Sequence, residues 1–117
     1  MRLLLACVSV LCLPATAWAG SIKTAEQIVM HELREPASAR FLDARFIHTW
    51  NTRGEPVDAV CGSISAKNGQ GGMSAASHFV YMVGHDDAYL TDPSIALTPY
   101  KAQLGQLAFA HLCLLGR

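Results

Sequence analysis

The sequence predicts an α+β domain with an N-terminal helix, a three- to four-stranded antiparallel sheet, a C-terminal helix and one disulfide. Three observations lead to this fold class. Apolar residues recur at helical spacing before Pro36 and after Pro99, and they alternate with polar residues in the segments between. Turn-forming clusters separate those alternating segments. Two cysteines, Cys61 and Cys113, lie in the second half of the chain.

The first 19 residues have the parts of a cleavable signal peptide. Arg2 supplies a positive start, residues 3–13 form an apolar run, and small residues end at Ala19. A membrane anchor is the weaker alternative, because the run has about half of the roughly 20 residues that span a bilayer. We therefore predict cleavage near Ala19 and a single domain over 20–117. The mature chain is expected to be periplasmic or secreted, with no membrane span.

The charge of the mature domain limits the kinds of partner it is expected to bind, and its cysteines indicate a disulfide. Nine basic residues less Arg2 leave eight against nine acidic ones, with no basic run, so neither a nucleic-acid partner nor an anionic membrane is indicated. Cys61 and Cys113 form an even pair in an exported domain, which is typical of a disulfide. Closing a loop of about 52 residues contributes about 4 kcal/mol on the chain-entropy model. A redox or nucleophilic thiol is the alternative, although no C-x-x-C is present.

The N-terminal helix is predicted over residues 24–34. Thr24 and Gln27 fit a capping box, in which each end of the motif satisfies a backbone donor of the first turn. Pro36 ends the helix and can start a short second turn. The apolar positions at helical spacing are Ala25, Ile28, Val29 and Leu33.

Four strands are predicted over residues 41–50, 57–66, 78–83 and 88–90. A turn cluster at 51–56 joins the first two as a hairpin. In the first strand, one face is expected to carry Leu42, Ala44, Phe46, His48 and Trp50.

The last helix is predicted from Pro99, a favoured first helical position, to Leu115. Cys113 falls on the side of this helix that is opposite its main apolar face. A disulfide from Cys113 therefore requires both sides of the helix end to be covered, or the last turn of the helix to unwind. The simplest arrangement that buries the apolar faces places both helices on one side of a single sheet. The main apolar face consists of Tyr100, Leu104, Leu107, His111 and Leu114.

Several short motifs resemble those of a group of small exported bacterial and phage-associated proteins. They are E-P-A-S-A-R-F at 35–41, V-C-G at 60–62, A-K-N at 66–68 and G-G at 71–72. The group's pattern is roughly D-P-x-S-A-[RK]-F, then V-C-G-x-x-N-A-K-N-x-x-G-G-Y, then a late cysteine. The resemblance implies the fold described above and a bridge between Cys61 and Cys113, and it implies no activity. This chain departs from the pattern at Glu35, Ser65 and Met73.

The glycine-rich segment is the best candidate for a binding site. Its glycines and asparagine allow positive φ and leave backbone N–H groups free to cradle an anion or to dock a partner strand. It lacks the Walker A pattern. The alternative is a connection whose conformation simply requires glycine. The segment consists of Lys67, Asn68, Gly69, Gln70, Gly71 and Gly72.

The segment before the first strand is interpreted as structural, packing the helix onto the sheet through Pro36, Ser38, Arg40 and Phe41. The five histidines show neither H-x-x-x-H nor H-E-x-x-H spacing, so no metal is predicted. No cofactor motif is present.

These observations favour an exported protein-binding module without a catalytic signature. Its expected partner is another envelope or exported protein, in an inhibitor, immunity, envelope or secretion role. A small periplasmic hydrolase is one alternative, and a structural component of an envelope assembly is another. The residues suspected of catalysis in the hydrolase alternative are His48, His78, Asp86 and Asp87.

Overall fold

The computed structural model describes residues 13–85 and 87–114 of the chain, with side chains from Ile22 onward. It confirms the α+β class and the disulfide between Cys61 and Cys113. Within these residues, none of the helices is both long and apolar enough to cross a membrane. In chain order the elements are helix α1 (Leu13–His31), a 3-10 turn (Pro36–Ser38), strands β1 (Arg40–Trp50), β2 (Pro56–Ser65), β3 (Ser77–Met82) and β4 (Ala88–Leu90), a 3-10 turn (Pro99–Lys101), helix α2 (Ala102–Ala108) and a π-helical stretch (Phe109–Leu114).

The four strands form one antiparallel sheet in the order β1-β2-β3-β4. The β1–β2 hairpin pairs Arg40 with Ser65 at one end and Trp50 with Pro56 at the other. Asn51 closes the connecting turn, since its side-chain oxygen accepts hydrogen bonds from the backbone of Arg53 and Glu55, each 2.9 Å long. In the order β1-β2-β3-β4 each strand pairs with its neighbour in sequence, which is the arrangement that hairpin connections produce.

A β-bulge in β1 corrects the predicted alternation of that strand. The register shifts between Leu42 and Arg45, and Asp43 within the bulge has a φ of 53°. The extra residue places Phe41 on the same face as Phe46, whereas Leu42 is left exposed. Beyond the bulge, Ile47 and Thr49 are buried as well, so both faces of β1 are covered there.

Helix α1 differs from its prediction at both ends. It begins at Leu13, inside the predicted signal peptide, so Thr24 is an interior residue and does not cap the helix. Residues 1–12 of that peptide lie outside the described residues. The helix ends at His31 because Leu33 forms an isolated β-bridge with Ala96, and Leu97 N–H donates to the Glu32 carbonyl at 2.8 Å.

The two ends of the chain cover opposite faces of the sheet, so the prediction of both helices on one face was wrong. Val60 on β2 packs with α1, whereas the adjacent Cys61 points to the other face and bonds to Cys113. Successive residues of a strand point to opposite faces. The disulfide therefore draws the end of the chain to the face that α1 leaves open.

Residues 99–114, which we call the C-terminal segment, pass along the edge strand β4 before reaching that face. At Gly105 the backbones approach so closely that an added Cβ would lie 2.1 Å from the Leu90 carbonyl oxygen. Further on, Leu112 and Cys113 are buried against the sheet. The apolar face predicted to be buried is instead largely exposed, because the packed side is the one that carries Gly105 and Cys113.

Candidate functional site

The glycine-rich segment forms a compact turn between β2 and β3. Lys67 and Met73 pair across it as an isolated bridge, and Ser74 N–H donates to the Ala66 carbonyl at 2.8 Å. The Ser65 hydroxyl donates to the Ser74 carbonyl at 2.6 Å. These bonds fix both ends of the turn on the sheet.

The interior of the turn is closed by Asn68. Its side-chain oxygen accepts hydrogen bonds from the N–H groups of Gln70, at 2.9 Å, and Gly72, at 3.2 Å. Its own N–H donates to the Gly72 carbonyl at 2.8 Å, and Gly71, with φ at +88°, donates to the Asn68 carbonyl at 3.1 Å. The backbone N–H groups expected to be free for an anion are thus mostly bonded within the turn. A ligand would have to be recognised by side chains.

Ser38 joins the turn to the segment that precedes β1. Its hydroxyl oxygen accepts a hydrogen bond from Lys67 N–H at 2.9 Å and donates to the Glu35 carbonyl at 2.7 Å. Phe41, three residues on, packs edge-to-face on Phe79 with the ring centroids 5.5 Å apart. The motif at 35–41 and the glycine-rich segment at 67–72 are therefore adjacent in space, and Ser38 links them.

Three cationic side chains surround this turn. Arg40 and Lys67 line an open cleft on one side with Glu35, and Arg34 lines another cleft beside Asn68. The Arg34 guanidinium carbon lies 3.7 Å from the position that a Cβ on Gly69 would occupy. We call Arg34, Arg40 and residues 67–73 together the basic turn.

The cations of the basic turn are exposed, and within the described part of the chain none of them forms an ion pair. Arg40 and Glu35 line the same cleft, but they do not form an ion pair with each other. By contrast, Lys101 in the C-terminal segment is bonded to Glu32 at 3.0 Å, and that hydrogen bond raises the pKa of Lys101. The basic turn therefore presents positive charge that no ion pair in the described structure neutralises, although the Glu35 carboxylate lines the same cleft as Arg40 and Lys67.

Of the residues suspected of hydrolytic catalysis, those that the structure describes are not brought together. His48 Nδ1 lies 2.5 Å from an Asp58 carboxylate oxygen near the β1–β2 turn. His78 lies on the opposite face, where its ring stacks on Phe109 with a centroid distance of 4.2 Å. Asp87 is exposed, and Asp86 lies outside the described residues.

A second polar cluster was not predicted from the sequence. Asp43, Arg45, Ser63 and His78 line one cleft next to Phe109. Ser63 and His78 are cross-strand partners, but the cleft also depends on the bulge that reorients Asp43. No hydrogen bond joins their side chains in the described structure, so the geometry shows no nucleophile–base pair.

Metal ligands do not converge in the part of the chain that the structure describes, where no group of three His, Cys, Asp or Glu side chains is placed to hold an ion. Comparison of the chain with protein-family models, curated proteins and solved structures found no match. The surfaces of the molecule are therefore interpreted from their own chemistry.

Proposed function

We propose that this chain is an exported protein-binding module that holds an acidic surface of another protein at its basic turn. The observation that carries the proposal is a group of cations that form no ion pair among the described residues, Arg34, Arg40 and Lys67, around a turn closed by its own hydrogen bonds. Carboxylate groups on a partner are the natural complement to such side chains.

The rigidity of the turn supports a role in recognition. A loop that is already ordered loses little conformational freedom when it binds, so more of the contact energy appears as affinity. Asn68 and Ser38 provide that order from inside the turn and from the neighbouring segment. The cations also steer an acidic partner during encounter, an effect that weakens as salt is added.

The shape of the site favours a protein over a small ligand. Arg34 lies on one side of the turn, and Arg40 and Lys67 line a separate cleft on the other. Most small-molecule sites are concave and enclose their ligand. A partner that contacts all three cations has to straddle a projecting turn, which a protein surface does more readily.

Export is proposed on the signal-peptide pattern and is compatible with the fold. Disulfides such as Cys61–Cys113 persist in oxidising compartments outside the cytoplasm. Among the side chains that the structure describes, those of α1 that contact the core run from Ile22 to Met30, and they follow the predicted cleavage site at Ala19. Cleavage there would leave these contacts in place.

An affinity pull-down of the oxidised protein from envelope extract tests the proposal. We expect a partner that binds wild type and is lost with the double variant Arg40→Ala, Lys67→Ala. The matched control is Lys23→Ala, Arg53→Ala, which removes two exposed cations elsewhere on the molecule.

The salt dependence of the captured complex provides the second measurement. We expect the control variant to retain the partner and wild-type binding to weaken with ionic strength. A partner kept equally by both double variants, or binding insensitive to salt, would contradict a site at the basic turn.

A further inference from the structure

The cleft beside Phe109 collects polar side chains that the proposed function does not use. It lies between the first half of β1 and the end of the C-terminal segment, and its volume is about 220 Å³. Sites for drug-sized ligands usually have about 300–1,000 Å³, so this cleft has room for a smaller molecule. We call it the polar cleft. The side chains that line it are those of Asp43, Arg45, Ser63, His78, Phe109 and Leu114.

Two opposite charges line the polar cleft without neutralising each other. Asp43 and Arg45 are separated by one residue, but no ion pair joins them in the part of the chain that the structure describes. Neither side chain has a hydrogen-bond partner among the described residues. Both groups are therefore available to a ligand, and charge-assisted hydrogen bonds are stronger than neutral ones.

The backbone of Asp43 has an uncommon conformation. Its φ of 53° lies in the left-handed region, which residues other than glycine seldom adopt. This conformation belongs to the bulge in β1, and bulges occur frequently next to functional sites, where they redirect a side chain. Unusual backbone geometry is likewise concentrated at binding sites, where the surrounding structure holds it in place. The bulge thus supplies a second observation that points to a ligand at this cleft.

The opposite wall of the polar cleft is aromatic and already ordered. The His78 ring stacks on the Phe109 ring with a centroid distance of 4.2 Å and an angle of 14° between the planes. Stacking uses the faces of the rings and leaves the two nitrogen atoms at the edge of His78 able to form hydrogen bonds. Leu114 follows Cys113, whose bond to Cys61 holds this part of the segment on the sheet. A ligand therefore meets a preformed wall, which limits the entropy lost on binding.

We propose that the polar cleft binds a small zwitterion, an α-amino acid with an apolar side chain. The guanidinium of Arg45 donates hydrogen bonds to the carboxylate of the ligand, and the Asp43 carboxylate accepts them from its ammonium group. The cross-strand partners Ser63 and His78 supply further polar groups between these two charges and the wall. The side chain of the ligand packs on Phe109.

The pairing of charges favours a zwitterion over a simple anion or cation. A ligand with a carboxylate alone would satisfy Arg45 but would also approach the like charge of Asp43. A ligand with an ammonium group alone would meet the same conflict at Arg45. Specificity arises from such repulsion as well as from attraction. The inference does not depend on the proposed function, since the residues that line the polar cleft are distinct from those of the basic turn.

Titration of the isotope-labelled, oxidised protein with L-leucine and with L-phenylalanine, followed by NMR, tests the proposal. We expect saturable binding with a dissociation constant of about 10 µM to 1 mM, as suits a ligand with few atoms. The amide signals that shift should include those of Asp43, Arg45, Ser63 and His78, whereas those of residues 67–72 should stay unchanged. L-Leucinamide lacks the carboxylate and N-acetyl-L-leucine lacks the ammonium group, so each should bind about tenfold more weakly or worse.

Variants of the two charged residues assign each contact. Arg45→Gln should weaken the binding of L-leucine about tenfold or more and should no longer distinguish it from L-leucinamide. Asp43→Asn keeps a residue that tolerates the left-handed region, and it should no longer distinguish L-leucine from N-acetyl-L-leucine. The matched controls Arg53→Gln and Asp87→Asn remove the same charges at exposed positions outside the polar cleft, and they should bind like wild type.

The amide spectrum of each variant without ligand controls for folding. The proposal would be overturned if neither amino acid bound at concentrations up to about 10 mM. Equal binding of L-leucine and its two blocked analogues would also overturn it, as would shifts confined to residues 67–72 or binding that both cleft variants retain in full. Failure of the pull-down at the basic turn would leave it unaffected.

Discussion

The two faces of the sheet are covered in different ways. On the α1 face, large side chains are fully buried in one continuous core that includes Leu33, Ile64, Phe79 and Ile95. On the opposite face the buried cluster is smaller, and two of its six members are the cysteines of the disulfide. The C-terminal segment, which covers this second face, directs most of its large apolar residues outward.

The difference shows that a covalent bond can hold a segment that buries little apolar area. Burial of apolar surface stabilises a contact roughly in proportion to area, so α1 is held by its own packing. The C-terminal segment has less to bury, and the bond between Cys61 and Cys113 offsets this by limiting the freedom of the unfolded chain. The outward side chains remain available for other contacts.

The largest expected effect tests the α1 face. Phe79→Ala removes a fully buried ring from the larger core and should lower the free energy of unfolding by about 3–5 kcal/mol, measured by urea denaturation. The matched comparison is Val60→Ala on the α1 face with Val80→Ala on the opposite face, which removes the same atoms from two fully buried positions, and the loss should be larger at Val60. Equal losses at the two positions would break the proposed contrast between the faces.

The second prediction concerns the disulfide. Replacing Cys61 and Cys113 together by Ala should cost about 2–4 kcal/mol, because the unfolded chain regains the freedom of a long loop. Hydrogen exchange should then accelerate in residues 102–114 while the core of α1 stays protected. Equal acceleration of hydrogen exchange in both regions would mean that the two faces of the sheet unfold together. The faces would then differ in geometry but not in stability.

A third, smaller effect is expected where the C-terminal segment passes β4. Gly105→Ala places a Cβ 2.1 Å from the Leu90 carbonyl oxygen, so the segment must move away from the edge strand. We expect a cost of about 1–3 kcal/mol, typical of overpacking. Gly69→Ala is the control, since its nearest neighbour is the Arg34 side chain at 3.7 Å, and it should melt close to wild type.

The smallest effect tests the ion pair that joins the C-terminal segment to the chain just after α1. Lys101→Met should lower stability by about 1 kcal/mol or less at neutral pH, because Lys101 and Glu32 are both partly exposed. The hydrogen bond to Glu32 raises the pKa of Lys101 above its ordinary value of 10.5. Its stabilising contribution is therefore complete below 10.5 and is lost as the pH rises through the folded-state pKa.

Urea denaturation from neutral pH to above 10.5 checks this sign. The difference between wild type and Lys101→Met should shrink at the alkaline end of the series. Arg53→Met, at an exposed cation without an ion pair in the described structure, is the control and should show a constant difference. A wild-type advantage that persisted unchanged at the alkaline end would contradict the assigned role of the pair.

The candidate site could be predicted from the sequence only in part. The position of the turn at residues 67–72 follows from its local composition. Its neighbours do not, because Ser38 and Arg34 reach it through folding across about 30 residues of chain. The internal hydrogen bonds of Asn68 were also missed, because the sequence alone does not show whether a backbone N–H group is free or hydrogen-bonded.

The bulge in β1 and the end of α1 show the same limit. Alternation along 41–50 is a sound guide to a strand, but it does not show the extra residue at Asp43. That residue lies where β1 runs beside Gly62 of β2, at which an added Cβ would lie 2.7 Å from the Phe79 ring. The helix ends early because Leu33 pairs with Ala96, far along the chain. Contacts between distant residues outweigh local preference in both places.

The sequence by itself determined the elements, their order, the turns and the pair of cysteines, because these depend on residues close together in the chain. Only the tertiary structure decided which face of the sheet each end of the chain covers and which side of the C-terminal segment is packed. The physical reason is the two-residue period of a strand. Val60 and Cys61 point to opposite faces, so α1 packs on one and the disulfide holds Cys113 on the other, with Tyr100, Leu104 and Leu107 turned outward.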